Sequence, residues 1–292
     1  MNDFVKIDDG SDFGVLSNIS KPFIGINRHR MGTDGEGVTT LVAFHGCLLN
    51  CKYCINPQCK TDDGVEERLS PSQLYDKVKI DDIYFRVTGG GIMFGGGEPL
   101  LQSSFIKKFR KLCGDKWKVY VETSLNVSRN HIEPLVDIID CWFVDIKDWN
   151  NEIYSRYTGY GNDRVKANLK YLADKGLSGK LTIRVPNIPG YNTEDDVANT
   201  ISELKKIGIT QINLFKYITD IRKSQKNAGF DGKFKCEVLK NIRIHAANFN
   251  GISYQPHSCT HKVCLSGCCP LCDGELDFIT REYYKRINYN LS

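Results

Sequence analysis

Between Val38 and Ile218 the chain alternates between short β-branched runs and amphipathic helical stretches, and that alternation leaves few folds open. Strand, helix and strand in succession imply a parallel sheet with right-handed crossovers. Val38–His45 is the first strand-like run, followed by Gly91–Phe94, Trp117–Thr123, Cys141–Lys147, Lys180–Val185 and Gln211–Tyr217. Helices are expected over Ser70–Ile80, Ser103–Cys113, Asp163–Lys175 and Thr193–Ile207. Ser70 is placed to cap the first, with Pro71 at its opening position. Thr193 caps the last, Asp196 completes a capping box, and Gly208 ends the helix. Six strands within roughly 180 residues fall short of the ~250 typical of a closed eight-unit barrel. The expected fold is therefore α/β, a partial (β/α)6 TIM-like barrel, with a flat doubly wound sheet as the alternative. In either fold, chemistry gathers where strands end and loops begin. A change of composition after about Phe249 divides the chain into an N-terminal extension (1–37), the barrel (38–248) and a small Cys-rich C-terminal metal-binding module (249–292).

The 292 residues include 12 cysteines. Such a number means disulfides in a small secreted chain and metal in an intracellular one. The opening MNDFVKIDDG has neither a basic start nor an apolar run, and no stretch approaches membrane-spanning length. The expectation is a cytoplasmic protein with no membrane partner. A net charge of +4 without a long basic run gives no sign of nucleic acid. Metal is thus the better reading of the thiols, and their clustering agrees. Cys47, Cys51, Cys54 and Cys59 form one group; Cys259, Cys264, Cys268, Cys269 and Cys272 form another. Cys113, Cys141 and Cys236 stand alone and read as small buried apolar side chains.

Cys47, Cys51 and Cys54 follow directly on the first strand. Iron–sulfur clusters usually take four cysteines; three leave one iron open, and chemistry at a metal needs an open position. A zinc site closed by Cys59 or His45 is the alternative. One strand–helix unit later comes Phe94-Gly95-Gly96-Gly97-Glu98-Pro99. Glycines let the backbone approach a ligand closely, and the Glu98 carboxylate is expected to accept hydrogen bonds from an ammonium group. In the C-terminal group, Cys259, Cys264, Cys269 and Cys272 are the favoured ligands of a second [4Fe-4S] cluster or a structural zinc, because Cys269-Pro270-Leu271-Cys272 closes a tight loop. Cys268 is an alternative ligand. His257 and His261 are spare donors that read as plain loop residues.

The spacing C-x3-C-x-aromatic-C, with Tyr53 as the aromatic residue, resembles the signature of the radical SAM superfamily, and Gly96-Gly97-Glu98 resembles its GGE motif. The resemblance implies a [4Fe-4S] cluster on Cys47, Cys51 and Cys54, with S-adenosylmethionine chelating the open iron. One electron then splits the sulfonium bond and yields a 5'-deoxyadenosyl radical that abstracts hydrogen from the substrate. Further stretches resemble the activating enzymes of glycyl radical enzymes, of the pyruvate formate-lyase activase type. Asp34-Gly35-Glu36-Gly37 resembles their D-G-P-G segment, with Glu36 in place of proline. Cys54-Ile55-Asn56-Pro57, the glycine block from Gly89 to Glu98, Asp145-Ile146-Lys147 and Arg184-Val185-Pro186 also correspond. By this resemblance Tyr53, Gly96, Gly97, Glu98, Glu122, Thr123, Asp145, Lys147 and Arg184 contact the cofactor. Glu122 and Thr123 fall where activases bind it through a monovalent cation, and Lys147 and Arg184 can neutralise carboxylates.

Two departures stand out. Leu214-Phe215-Lys216-Tyr217-Ile218 lacks the histidine that ends the activase barrel, and no ferredoxin-like insert follows the first cysteine loop. The resemblance implies a radical SAM oxidoreductase, activase-like, served by a flavodoxin- or ferredoxin-type electron donor and acting on a glycyl radical enzyme. Modification of a peptide or small molecule is the alternative within the superfamily, and a non-catalytic zinc- or iron–sulfur-binding protein is the alternative outside it.

Overall fold

The computed structural model describes residues 20–216, 232–258 and 269–289. Six short apolar runs form parallel strands: β2 (Val38–Phe44), β4 (Gly91–Gly96), β5 (Lys118–Thr123), β6 (Cys141–Asp145), β7 (Leu181–Asn187) and β8 (Ile212–Lys216). These are the six strands expected. Two more, β1 (Lys21–Met31) and β3 (Glu67–Leu69), extend the sheet antiparallel beyond β2, giving the order β3-β1-β2-β4-β5-β6-β7-β8. The sheet is not closed, as a partial barrel requires. β1 hides from a reading of periodicity because its pairing with β2 slips twice, between Phe23 and Gly25 and between Asn27 and Arg30. His29 sits at the second slip with φ 58°. Such bulges erase the alternation that betrays a strand.

Eight α-helices are described: α1 (Pro71–Val78), α2 (Asp82–Thr88), α3 (Ser103–Cys113), α4 (Asn151–Thr158), α5 (Asp163–Asp174), α6 (Glu194–Lys206), α7 (Gly232–Phe249) and α8 (Pro270–Tyr289). The expected capping boxes form. Ser70 Oγ accepts from Gln73 N at 3.2 Å while Ser70 N donates to Gln73 Oε1 at 2.8 Å. Thr193 and Asp196 reciprocate in the same way. Each cap is worth about 1 kcal/mol.

Strand alternation decides which side chains face the helices and which line the concave side. Phe94, Val119, Val121, Trp142, Val144 and Ile183 join the main core with Phe105, Phe109 and Trp117. Met93, Tyr120 and Phe143 form a separate small cluster. In the same register as that cluster, Glu122, Asp145 and Arg184 alternate with core-facing neighbours, and Asp145 pairs with Arg184 across β6 and β7. A row of charges therefore follows the apolar layer on the inner face.

A second core joins Val38, Ile83 and Tyr84 to Leu239, Ala246, Ile252, Leu276 and Ile279. It packs α7 and α8 onto α2, so α7, which precedes Phe249, shares its contacts with the tail helix. Buried polar links reinforce the join. Arg28 on β1 bridges Asp81 (2.7 Å) and Asp273 (2.9 Å). Buried Arg243 donates to the Tyr84 hydroxyl at 2.6 Å and pairs with Glu275 at 3.0 Å.

Candidate active site

The cysteine loop leaves β2 at Phe44 and is held by backbone hydrogen bonds on three sides. Gly46 N donates to Cys59 O at 2.7 Å. Asn50 N and Lys52 N donate to the carbonyls of Thr158 and Tyr157 at 2.8 and 3.2 Å, at the end of α4. Gly97 N and Glu98 N reach across from the neighbouring loop to Phe44 O and Gly46 O, both at 2.8 Å. Asn56 Nδ2 completes the seam by donating to Gly96 O at 3.1 Å. The glycine run is a steric demand of this seam. A Cβ on Gly97 would lie 2.1 Å from Gly46 O, and one on Gly96, whose φ is +93°, would lie 2.8 Å from the Ala43 backbone.

Cys47, Cys51 and Cys54 are half-buried free thiols on this loop. Burial pushes the Cys47 thiol up to about 11, with nearby Glu98 adding to it, and also raises Cys51. The Cys54 sulfur is held down to about 6, chiefly by a hydrogen bond from Cys59. Lys147 and Lys60 lower both Cys51 and Cys54. The three sulfurs influence one another, yet among the described residues no three such donors converge on a single-ion site. Three thiols on one loop are the donor set of a cluster that keeps one iron free of protein ligands, whereas a structural zinc takes four ligands. The donor set fits a [4Fe-4S] cluster.

Glu98 is engaged by its own protein surroundings. Its carboxylate is buried and accepts four protein hydrogen bonds: Leu100 N (3.2 Å) and Thr123 Oγ1 (2.6 Å) on Oε1, Ser124 N (3.0 Å) and Ser124 Oγ (2.6 Å) on Oε2. Burial raises its pKa, and the Ser124 and Thr123 hydroxyls with the two amides oppose that rise. Four donors match the carboxylate's four acceptor positions. Glu98 thereby ties the glycine loop to the end of β5. Thr123 belongs to the same cradle, since its hydroxyl also accepts from Leu125 N at 2.8 Å. Asn168 on α5 fixes the loop behind it by donating to Leu125 O and Val127 O at 3.0 and 2.9 Å.

The charged row lies beside this seam. Arg184 Nη1 meets Glu122 Oε1 at 2.6 Å and approaches Asp145 Oδ1 only to 3.9 Å, while its Nη2 donates to Thr33 O at 3.2 Å. Lys147, with φ 47°, donates to Asp145 Oδ2 at 3.0 Å. Asp145 Oδ1 is left buried without a hydrogen-bond partner among the described residues. The Tyr53 hydroxyl donates to Pro189 O at 3.3 Å, and its ring packs on Tyr157 and Tyr191. Its side chain thus anchors the cysteine loop to the turn after β7. Asn56 and Ser124 are structural members of the site that carried no assigned role in the sequence, whereas Cys59 was weighed there as the closing ligand of a zinc site; for Asn56 the C-x-N-P segment was the available signal.

Of the C-terminal thiols, Cys259, Cys264 and Cys268, like His261, lie outside the described residues. Cys269 and Cys272 are buried at the start of α8. Cys272 N donates to Cys269 Sγ at 3.5 Å, and Arg243 Nη2 to Cys272 Sγ at 3.8 Å. Burial, with Cys269 and Cys236 nearby, pushes the Cys272 thiol up to about 12. Cys236 on α7 therefore neighbours this pair rather than standing alone. His257 Nδ1 is bonded to Glu275 Oε1 at 2.8 Å, and its Nε2 is buried without a partner among the described residues.

Residues 41–211 match the Radical SAM superfamily. The pyruvate formate-lyase 1-activating enzyme of Escherichia coli (strain K12) is 30% identical over 192 residues, covering 63% of this chain and 76% of that relative. The 4-hydroxyphenylacetate decarboxylase activating enzyme of Clostridioides difficile (strain 630) is 27% identical over 247 residues, with 63% and 78% covered. Among solved structures, a domain of pyruvate-formate lyase-activating enzyme from Bacteroides vulgatus aligns with a TM-score of 0.40 at 24% identity, over 48% of this chain and 90% of that one. The superfamily's general reaction is reductive cleavage of S-adenosylmethionine at a [4Fe-4S] cluster. With a match over more than half its length and a three-thiol loop stitched to its glycine loop, this chain belongs to the radical SAM superfamily of enzymes.

Proposed function

We propose that the chain is an activating enzyme that installs a radical on a glycyl radical enzyme. The observation that carries the reading is the seam between the cysteine loop and the Gly96–Glu98 loop, set beside the charged row on β5 to β7. The activating-enzyme names of the relatives support it. Cys47, Cys51 and Cys54 would hold the cluster, which when bound supplies an electron to S-adenosylmethionine. Gly96 and Gly97 let the cofactor reach the backbone, and Glu98 with Thr123 keeps that backbone in place. Tyr53 holds the loop against the turn after β7. Asp145 Oδ1, a buried carboxylate oxygen without a hydrogen bond among the described residues, together with Glu122, suits a monovalent cation or the cofactor's cationic end. Lys147 and Arg184 balance that carboxylate pair and orient anionic groups.

A flavodoxin- or ferredoxin-type donor would supply the electron, and a reducing cytoplasm suits an open-site cluster. No helix among the described residues is long and apolar enough to cross a membrane. The absent histidine after Leu214-Phe215-Lys216 favours a second reading within the superfamily, in which the substrate is a peptide or small molecule. In the C-terminal group we place a second centre, a [4Fe-4S] cluster or zinc, on Cys259, Cys264, Cys269 and Cys272, with Cys268 as the alternative ligand. Buried Cys269 and Cys272 support it, as does the Glu275-oriented His257 imidazole, an arrangement common behind metal ligands.

The test is anaerobic reconstitution, reduction with dithionite and addition of S-adenosylmethionine. 5'-Deoxyadenosine is expected, together with a glycyl radical signal by electron paramagnetic resonance when a glycyl radical enzyme is added. Cofactor cleavage without any protein radical would refute the activase reading and leave the superfamily chemistry standing.

A further inference from the structure

We propose that the cavity between the 32–35 loop and the inner face of β6 to β8 is a substrate subsite that takes an uncharged, extended polypeptide segment, a step that rests on the activating-enzyme reading. The cavity measures about 530 Å³, within the ~300–1,000 Å³ of ordinary ligand sites. Gly32, Thr33 and Gly35 form one wall; Phe143, Thr182 and Asn213 belong to the other. Phe143 and Thr182 lie two residues before Asp145 and Arg184 on the same strand faces, so the cavity adjoins the charged row. Arg184 joins the two walls: its guanidinium lies 5.0 Å from the centre of the Phe143 ring, and its Nη2 donates to Thr33 O at 3.2 Å. The loop wall is fixed. Asp34, 2% exposed, is ion-paired with Arg30, whose Nη2 donates to its Oδ1 at 2.8 Å. Gly35 lies so close to Tyr120 that a Cβ there would sit 2.8 Å from the ring.

The lining sets the chemistry of the ligand. No titratable side chain lines the cavity among the described residues. Arg184, at its rim, is already engaged by Glu122 at 2.6 Å and by Thr33 O. A carboxylate, phosphate or ammonium would give up part of its water there without meeting a counter-charge, a cost that selects against it. Thr33, Thr210 and Asn213 line the cavity with side chains that make no hydrogen bond among the described residues. An uncharged ligand with repeated donors and acceptors matches them, and polypeptide main chain offers one of each per residue. The cavity also reaches β8, the last strand of the sheet, with whose outer edge no strand pairs among the described residues. Ile212 and Asn213 of β8 line the cavity, so an extended chain seated there runs beside unpaired backbone groups, the setting for strand addition.

The test uses full-length, anaerobically reconstituted protein with S-adenosylmethionine and a capped probe, Ac-Ala-Ala-Gly-Ala-Ala-NH2, beside the same peptide with Glu in place of its two outer alanines. Binding is followed by saturation-transfer NMR. The neutral peptide should bind roughly tenfold tighter than the acidic one, and Asn213→Trp, which fills the cavity, should weaken it roughly tenfold. No saturable binding of the neutral peptide, equal binding of the acidic one, or wild-type binding by Asn213→Trp overturns the proposal. If Asn213→Trp loses S-adenosylmethionine binding as well, Thr210→Trp decides: loss of the peptide alone supports the subsite, and any other result overturns it. The glycyl radical signal tells this subsite apart from the reading it rests on. Peptide binding at the cavity without a radical on a glycyl radical enzyme keeps the subsite and refutes the activase. Full radical yield in both tryptophan variants keeps the activase and refutes the subsite.

Discussion

Replacing Glu98 by Gln separates a structural cradle from a cofactor contact. Both oxygens of the wild-type carboxylate accept two hydrogen bonds, each pair including one backbone N–H that cannot turn away: Leu100 N on Oε1 and Ser124 N on Oε2. Whichever way the amide is oriented, its NH2 faces one of these amides. That leaves a buried donor unsatisfied, a cost of about 1–3 kcal/mol. The hydroxyls of Thr123 and Ser124 can rotate to accept, but each already accepts from the amide two residues on, Leu125 N and Asn126 N. Loss of charge assistance weakens the remaining bonds by about half, and relief from burying a charge offsets part of this. The net loss is about 2 kcal/mol, which lowers the melting temperature by about 3 °C for a chain of this size. The assay is thermal unfolding of cluster-free protein without S-adenosylmethionine. An unchanged melting temperature combined with weaker S-adenosylmethionine binding would refute the cradle and return Glu98 to the cofactor.

Gly97→Ala forces a methyl group against Gly46 O and parts the two loops; overpacking of about 1–3 kcal/mol is expected, with less than half the wild-type iron per chain after reconstitution. Asp81→Asn leaves Arg28 and His29 facing a neutral partner and should cost about 3 kcal/mol in urea unfolding. Burial pushes the Asp81 carboxyl up, but hydrogen bonds from Arg28 and His29 outweigh that and hold it below its ordinary value of 3.8. Its stabilisation is therefore full above about pH 4 and lost as pH falls through the lower folded value, an acid-side loss the Asn variant should not share. Asn168→Ala strips two buried carbonyls of their donor and should cost about 2 kcal/mol by the same unfolding assay.

The six parallel strands were legible because each is a short apolar run punctuated by glycine or a capped helix, and the cysteine and glycine motifs fell at strand ends as the fold requires. β1 was not legible, because two bulges spoil its period. Glu98 shows a different limit. Sequence announces a carboxylate beside glycines but not which donors it faces, and those come from Leu100, Thr123 and Ser124, brought to it by β5 and the turn after β4. Cys59 and Cys236 reveal their neighbours only through folding: one through a pinned turn, the other through the packing of α7 on α8. The charged row was readable residue by residue, whereas its internal pairing was not: register sets Arg184 opposite Asp145, but its guanidinium reaches past it to Glu122 on β5.

The end of α4 bears on how iron arrives. A helix normally leaves its last carbonyls to solvent, but here Tyr157 O and Thr158 O are occupied by amides of the cysteine loop. Loop and helix close one another with protein atoms alone. A metal on the loop's thiols would sit on backbone tied to α4 by these bonds, and the amides at Asn50 and Lys52 should exchange more slowly with solvent than those of unbonded loop residues.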